Sequence, residues 1–394
     1  MKTKIILLVL SVALISSIAG FFTSQLLSKN NSELLTPFVA LQENIGFPLL
    51  EYSIDNLKIR KYIPSNLTIE SLITKENKYN SYVFSYITLG KKMTGQINIP
   101  DKITQSPIQK HSAIIMIRGY VPQEIYQTGT GTKNAADVLA NNGYITIAPD
   151  FFGYGKSDPE PEDSWQTRFE KPIAIIELLE SIKLNGVPTR PELSGNKIAE
   201  DSIQNEQKYK IDDIGIWAHS NGGQIALTTL EILDQEIPTT LWAPVTAPFP
   251  YSVLYFGDEL EDEGKSQRKW ISMFEEKYNA FDFSLTKHLN SLQGPIQIHH
   301  GNADDAALIY WSEEFVDKIE AENDKRAKIL AEEAKEIKTI ETTATNSGEP
   351  HELKNLEEID LTFYKYEDTN HNMVPNWNKV IGRDIQFFNK YFNQ

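Results

Sequence analysis

A mostly parallel α/β sheet covered by helices on both faces is what this sequence predicts, and three observations carry that prediction. Short apolar runs recur, among them "SAIIMI", "YITIAP" and "PIQIHH", too uniform to be strands with one wet face. Helical periodicities separate them. One run, "IGIWA", reaches a serine among small residues and resumes at once as the helix "GGQIALTTLEIL". Strands and helices in this alternation build parallel sheets.

The chain starts with Lys2 and Lys4 ahead of an uncharged apolar run from Ile5 to Phe22. That is close to the shortest stretch able to span a bilayer, and the lysines favour a cytoplasmic amino end. The expectation is an anchor over 1–22, with the rest of the chain outside the cytoplasm. A cleavable signal peptide is the alternative, with Ser17 and Ala19 at the cleavage site and a secreted product. A polar tether follows to about residue 49.

Residues 50–100 read as a β-rich extension. It comprises "YSIDNLKIRKYI" and then "SYVFSYITLGKKMTGQINIP", a hairpin turned at Gly90. Thereafter come the strand "SAIIMI", a helix "KNAADVLANNG" closed by Gly143, the strand "YITIAP" and the helix "RFEKPIAIIELLESI". A polar excursion near "RPELSGNKIAEDSIQNEQ" precedes the serine turn. The carboxyl-terminal part gives strands "TTLWAP", "PIQIHH" and "IDLTFYKYE", and a last helix "NKVIGRDIQFFNKYF". From Glu313 to about Ile340 the chain is dense in Glu, Lys and Ala. Phe315, Ile319, Leu330, Ala334 and Ile337 mark one apolar seam on a solvated helix, with a lid or partner-binding helix as the alternative, in a charged insertion over about 313–357.

A hydrophobic content of 40% against 23% charged residues is that of a folded chain. The net charge of -16 repels polyphosphate and disfavours nucleic acid as a partner. The chain has no cysteine, which excludes disulfides and thiol catalysis.

In a doubly wound sheet ligands sit beyond the carboxyl ends of the strands, and Ser220 falls at such an end. Ala218 and Gly222 occupy the small-residue positions of a G-x-S-x-G turn, "AHSNG", and Gly223 adds room for the helix. A serine at a helix start is ordinarily an amino-terminal cap, so its partners decide. A nucleophilic hydroxyl needs a base and an acid to orient that base, in the chain order Ser, acid, His. His371, in "EDTNHNM" just past the last predicted strand, fits better than His351, in the polar loop "SGEPHELK". Asp304, first after the turn "HGNA", is the acid, and Asp305 reads as a cap for the next helix.

The oxyanion needs two backbone N–H donors: Asn221, after the nucleophile, and Tyr120, in the loop "IIMIRGYVP" where Gly119 lets the chain turn close. Arg118 faces either an acidic partner inside the fold or the substrate. Tyr251, Tyr255 and Phe256 supply either pocket walls or plain core. His299 and His300 are neighbours on a strand and point to opposite faces, which speaks against a shared metal. No metal or organic cofactor is required by such a triad.

The chain resembles the α/β-hydrolases, and among them the catalytic domain of the prolyl oligopeptidase family, with its dipeptidyl-peptidase and acylaminoacyl-peptidase relatives. The resemblance rests on "IGIWAHSNGG", "PIQIHHGNADD", "DTNHNM" and, less specifically, "NNGYITIAPDFFGYGKSD", over about residues 80 to 394. It implies an α/β-hydrolase fold, a mostly parallel sheet of about eight strands, and Asp304 as the triad acid. There are departures. Ala218 stands where the family has Gly, "RGY" where many relatives have His-Gly, and the interval from Asp304 to His371 is longer. The short β-rich stretch ahead of the domain leaves no room for a β-propeller, and no Glu-Glu pair is recognisable as a clamp for a free amino terminus. The expected activity is hydrolysis of a small ester or peptide substrate, as a prolyl oligopeptidase-like peptidase or a carboxylesterase. An inactive hydrolase-like binding protein is the alternative of another class.

Overall fold

The structure is a computed structural model describing residues 47–103, 110–191, 193–194, 197–198, 207–257, 262–343 and 357–392. The chain divides into two units, Met1–Glu51 and Tyr52–Gln394. Of the first, residues 47–51 are described and form a turn closed by Leu50 N–H on Phe47 O. The expected anchor over 1–22, most of the tether and His351 lie outside the described residues. Among the described residues no helix is long and apolar enough to cross a membrane.

Among the described residues the main sheet of the second unit has nine strands: β1 (Thr68–Lys75), β2 (Tyr79–Thr88), β3 (Lys91–Pro100), β4 (Ser112–Ile117), β5 (Ile145–Pro149), β6 (Asp213–His219), β7 (Thr239–Trp242), β8 (Ile296–Gly301) and β9 (Leu361–Tyr366). They form one sheet in the order β1-β2-β3-β5-β4-β6-β7-β8-β9. The pairs joining β1, β2, β3 and β5 are antiparallel, and every pair from β5 to β9 is parallel. The chain reverses direction across the sheet between β4 and β6. This is the α/β-hydrolase arrangement, with one strand more than the sequence led one to count.

Among the described residues nine α-helices accompany the sheet: α1 (Ile54–Lys58), α2 (Lys133–Asn141), α3 (Ser164–Phe169), α4 (Lys171–Asn185), α5 (Asn221–Leu233), α6 (Tyr251–Leu254), α7 (Lys265–Glu275), α8 (Ile309–Thr343) and α9 (Trp377–Tyr391). Alternation along β4 shows why its run is wholly apolar. Ala113, Ile115 and Ile117 enter the core packed with α4, α5 and α8, while Ile114 and Met116 enter the core packed with α2 and α9. All five are fully buried, so neither face tolerates a polar residue.

Two expectations are corrected. "YSIDNLKIRKYI" is not a strand: Ile54 and Leu57, one helical turn apart, are both 1% exposed and fold it as α1. The edge strand β1 went unread, because its alternation is blurred by two register shifts against β2. The hairpin at Gly90 forms, with Leu89 and Gly90 both at positive φ (52° and 72°), the two-residue turn that suits strand twist. Leucine resists that conformation, and buried Glu177 of α4 holds it there by accepting from Leu89 N–H and Thr88 Oγ1. On α8, Phe315 and Ile319 are buried as expected, but Ala334 is exposed, so the seam is shorter than the pattern indicated. Arg326 joins the buried part instead, donating to the carbonyls of Leu292, Asn290 and Glu357.

Candidate active site

β6 ends at His219 and α5 begins at Asn221, leaving one residue for the turn. Ser220 makes it at φ 58° and ψ -126°, a conformation that costs a non-glycine residue about 1–3 kcal/mol. Packing enforces it. A Cβ on Gly222 would stand 2.3 Å from Ile117 O, so only glycine lets α5 start this close to the end of β4. Ser220 occupies the N-cap position, yet its side chain caps nothing. Its hydroxyl is half-buried and has no hydrogen-bond partner among the described residues.

The acid is the reverse. Asp304 is 6% exposed. Its Oδ1 accepts from the N–H groups of Ala306 and Ala307, both at 2.9 Å. Its Oδ2 accepts from His371 Nδ1 at 2.8 Å and from His300 Nε2 at 3.2 Å. Burial pushes the carboxyl up, but these donors outweigh it and hold the group well below the ordinary carboxylate range. His300 is fixed in turn. Its Nε2 also lies 2.8 Å from Ala307 O, which can only accept, so Nε2 carries the proton and Nδ1 accepts from Ser312 Oγ. The expectation that Asp305 caps the following helix is corrected: its side chain is exposed and bonds no described group, and Asp304 ties down the turn.

Residue 371 is brought in by the loop after β9. Its backbone carbonyl accepts from His219 Nε2 at 3.0 Å, and the two imidazole rings lie 4.7 Å apart. The structure therefore sets the Asp304–His371 pair beside the residue that precedes Ser220. No hydrogen bond joins Ser220 Oγ to His371, a looseness common before substrate binds. Burial, and then repulsion from His371, push His219 down to about 4, so it is neutral at physiological pH.

Facing Ser220 is the loop after β4. A Cβ on Gly119 would fall 2.8 Å from Ser220 Cβ and 3.3 Å from its Oγ. Tyr120 is 76% exposed, and neither its N–H nor that of Asn221 has an acceptor among the described residues. The two readings of Arg118 are now resolved. It is 6% exposed and turned inward, donating to Gly119 O and Asp150 O at 2.9 Å each, with its guanidinium stacked on Tyr126 and Tyr154. The expectation of a substrate contact is corrected: the guanidinium has no free face. Because the peptide is planar and trans, fixing Gly119 O fixes the Tyr120 N–H in the opposite direction.

Tyr251 is exposed. Tyr255 packs on Trp311 of α8 at 4.8 Å, over the acid turn. Neither lines the cleft that opens beside Asn221. That cleft is walled instead by residues including Phe169, Phe283, Gln224, Arg168 and Lys171, which the sequence gave no reason to single out. His299 faces α9, within 3.1 Å of Asp384 and 2.8 Å of Tyr366 Oη, and His300 faces α8; the two point oppositely, as their strand positions required. Among the described residues no group of three His, Cys, Asp or Glu is placed to hold a metal ion.

No family model matches the chain. A carboxymethylenebutenolidase homolog of Rattus norvegicus is 34% identical over 65 residues, 16% of this chain and 24% of that protein; its Mus musculus counterpart matches to the same extent. The chain thus matches about a quarter of the length of these curated relatives. Among solved structures, Est1E from Butyrivibrio proteoclasticus with ferulic acid bound is 14% identical, over 79% of this chain and 99% of that one, with a TM-score of 0.47. Acetyl xylan esterase 1 from a Thermoanaerobacterium species is 11% identical over 86% and 92%, TM-score 0.49. Dipeptidyl peptidase 4 of Porphyromonas gingivalis is 16% identical over 84% and 36%, TM-score 0.46. None of these likenesses is close enough to carry a function across.

Proposed function

We propose that this chain is a serine hydrolase acting on an ester or amide through a Ser220–His371–Asp304 triad. The observation that carries the reading is the Asp304–His371 hydrogen bond of 2.8 Å, formed across 67 positions of sequence beside the strained, uncapped Ser220. With Nδ1–H committed to Asp304, His371 presents Nε2 as the base. His371 takes the Ser220 proton as Oγ attacks the carbonyl. The N–H groups of Asn221 and Tyr120 receive the oxyanion, each such donor supplying roughly 3 kcal/mol of transition-state stabilisation. His371 then protonates the leaving group, and water releases the acyl group by the same steps in reverse order.

The finer reading is a peptidase of prolyl oligopeptidase type, with a carboxylesterase as its rival. Amides need stronger protonation of the leaving nitrogen, so rates on peptide 4-nitroanilides against 4-nitrophenyl butyrate separate them. Covalent labelling by a fluorophosphonate, lost in Ser220→Ala, tests the reading as a whole. An unlabelled, folded wild-type protein overturns it and leaves the inactive binding protein. The amino-terminal run Ile5–Phe22 supports a position outside the cytoplasm, which fractionation of the full chain checks.

A further inference from the structure

The cleft beside Asn221 is lined by two cations that form no ion pair with any described residue. Arg168, on α3, donates to Gln224 Oε1 at 2.7 Å and reaches Ser252 Oγ at 3.5 Å, and its guanidinium lies 5.7 Å from the Phe249 ring centre. All three partners are neutral. Lys171, the first residue of α4, has no hydrogen bond and no ion pair with any described residue, and its Nζ faces the Phe151 ring at 5.9 Å. Both side chains are half-buried.

The surroundings disfavour these charges. Burial pushes Arg168 down to about 10. Burial first, then Arg118 and Arg168, push Lys171 down to about 8. Glu160 and Glu170 oppose this more weakly, neither within ion-pair distance, and burial lifts Glu170 itself to about 7. Half-buried cations held by neutral partners are costly unless an anion joins them. In a chain of net charge -16 this cleft is a local positive site.

Its position decides which part of a substrate it meets. The leaving group must lie within reach of His371, which protonates it. No residue of the His371 loop lines the cleft, whereas Asn221, a proposed oxyanion donor, does. The acyl side therefore enters here. We infer that the cleft selects acyl groups ending in a carboxylate, held by Arg168 and Lys171. This rests on the hydrolase reading above. In the reaction Ser220 Oγ bonds the carbonyl carbon, the alcohol leaves with the proton from His371, and the distal carboxylate stays ionised throughout. Water then releases the dicarboxylic acid.

Two measurements test the inference, and only one needs turnover. In the first, kcat/KM for mono-4-nitrophenyl adipate is divided by that for 4-nitrophenyl butyrate. Wild type should favour the anionic ester by about tenfold, and Lys171→Met, which removes a charge that bonds no described residue, should lower the ratio about tenfold. Arg168→Lys should keep more of it than Arg168→Gln. In the second, calorimetry follows glutarate binding to the wild-type protein, weakened about tenfold by Lys171→Met. A labelled, butyrate-hydrolysing enzyme with no preference for adipate and no glutarate binding overturns the inference and leaves the hydrolase reading intact. A protein that binds glutarate through Lys171 but neither labels nor hydrolyses overturns the hydrolase reading and keeps the anion site.

Discussion

The proposed nucleophile and the proposed acid of this site are built on opposite principles. Asp304 spends both oxygens on four donors and is shut away from water, with His300 braced behind it by Ala307 and Ser312. Ser220 is held in a strained backbone with its hydroxyl bonded to no described residue, and the N–H groups of Asn221 and Tyr120 likewise have no acceptor among the described residues. The contrast teaches where the fold invests. A group that must stay still is saturated with hydrogen bonds. A group that must meet a substrate is left open, and its position is enforced from behind by packing and by Arg118.

The sharpest break of that contrast is Ser220→Ala. Turnover should fall by about 10⁶-fold, judged from triad knockouts, with the folded protein unchanged in circular dichroism. Asp304→Asn comes next, with kcat reduced by about 10⁴ through loss of the correct His371 tautomer. It also tests the saturated side by pH. A carboxyl held low in the fold adds stability above the ordinary carboxylate pKa, and that stability is lost as pH falls through its folded value. Wild type should therefore lose more stability than Asp304→Asn on acidification below about pH 4 in urea titrations; equal losses would show that the donors around Asp304 add nothing.

Arg118→Met should sharpen the open side. It frees the Gly119–Tyr120 peptide and should lower kcat by about 10²-fold, with KM little altered, if that peptide positions an oxyanion donor. A rise in KM at constant kcat would return Arg118 to the substrate. Gly222→Ala should move the whole turn, since Ile117 O cannot retreat from a Cβ at 2.3 Å without parting β4 from β6. Thermal unfolding should show a loss of about 1–3 kcal/mol, the usual range for overpacking.

The smallest effect concerns His219, between the two halves. Its folded pKa of about 4 lies below the ordinary histidine value, so the unfolded chain binds more protons in that interval. Stability is full above about pH 6.5 and falls as pH drops towards 4. His219→Gln should remove about 1–2 kcal/mol of the difference in unfolding free energy between pH 7 and pH 5. An unchanged pH slope would place that titration elsewhere.

Much of the fold and of the proposed triad was legible because it follows from local rules. β4 had to be wholly apolar since both its faces are covered, and the sequence shows it. Ser220 was legible from Ala218 and Gly222, because the close approach of α5 to β4 admits nothing larger. Asp304 and His371 were legible from their place just after strands, the end of the sheet where ligands bind.

What the residues could not reveal depends on neighbours distant in sequence. Whether Arg118 met a substrate was undecidable until Asp150, Tyr126 and Tyr154 were placed around it. The roles of Asp304 and Asp305 at the turn depended on which carboxylate met the Ala306 and Ala307 N–H groups. Arg168 and Lys171 look like ordinary helix-surface cations, since neither carries a motif. That neither forms an ion pair with a described residue emerges only once α3, α4 and α5 pack together. Periodicity and turn chemistry are written in consecutive residues, and so the sequence determined the sheet, its helices and the candidate reactive side chains. Which charges are paired, and which are left facing a cleft, is set by packing between segments, and only the tertiary structure decided it.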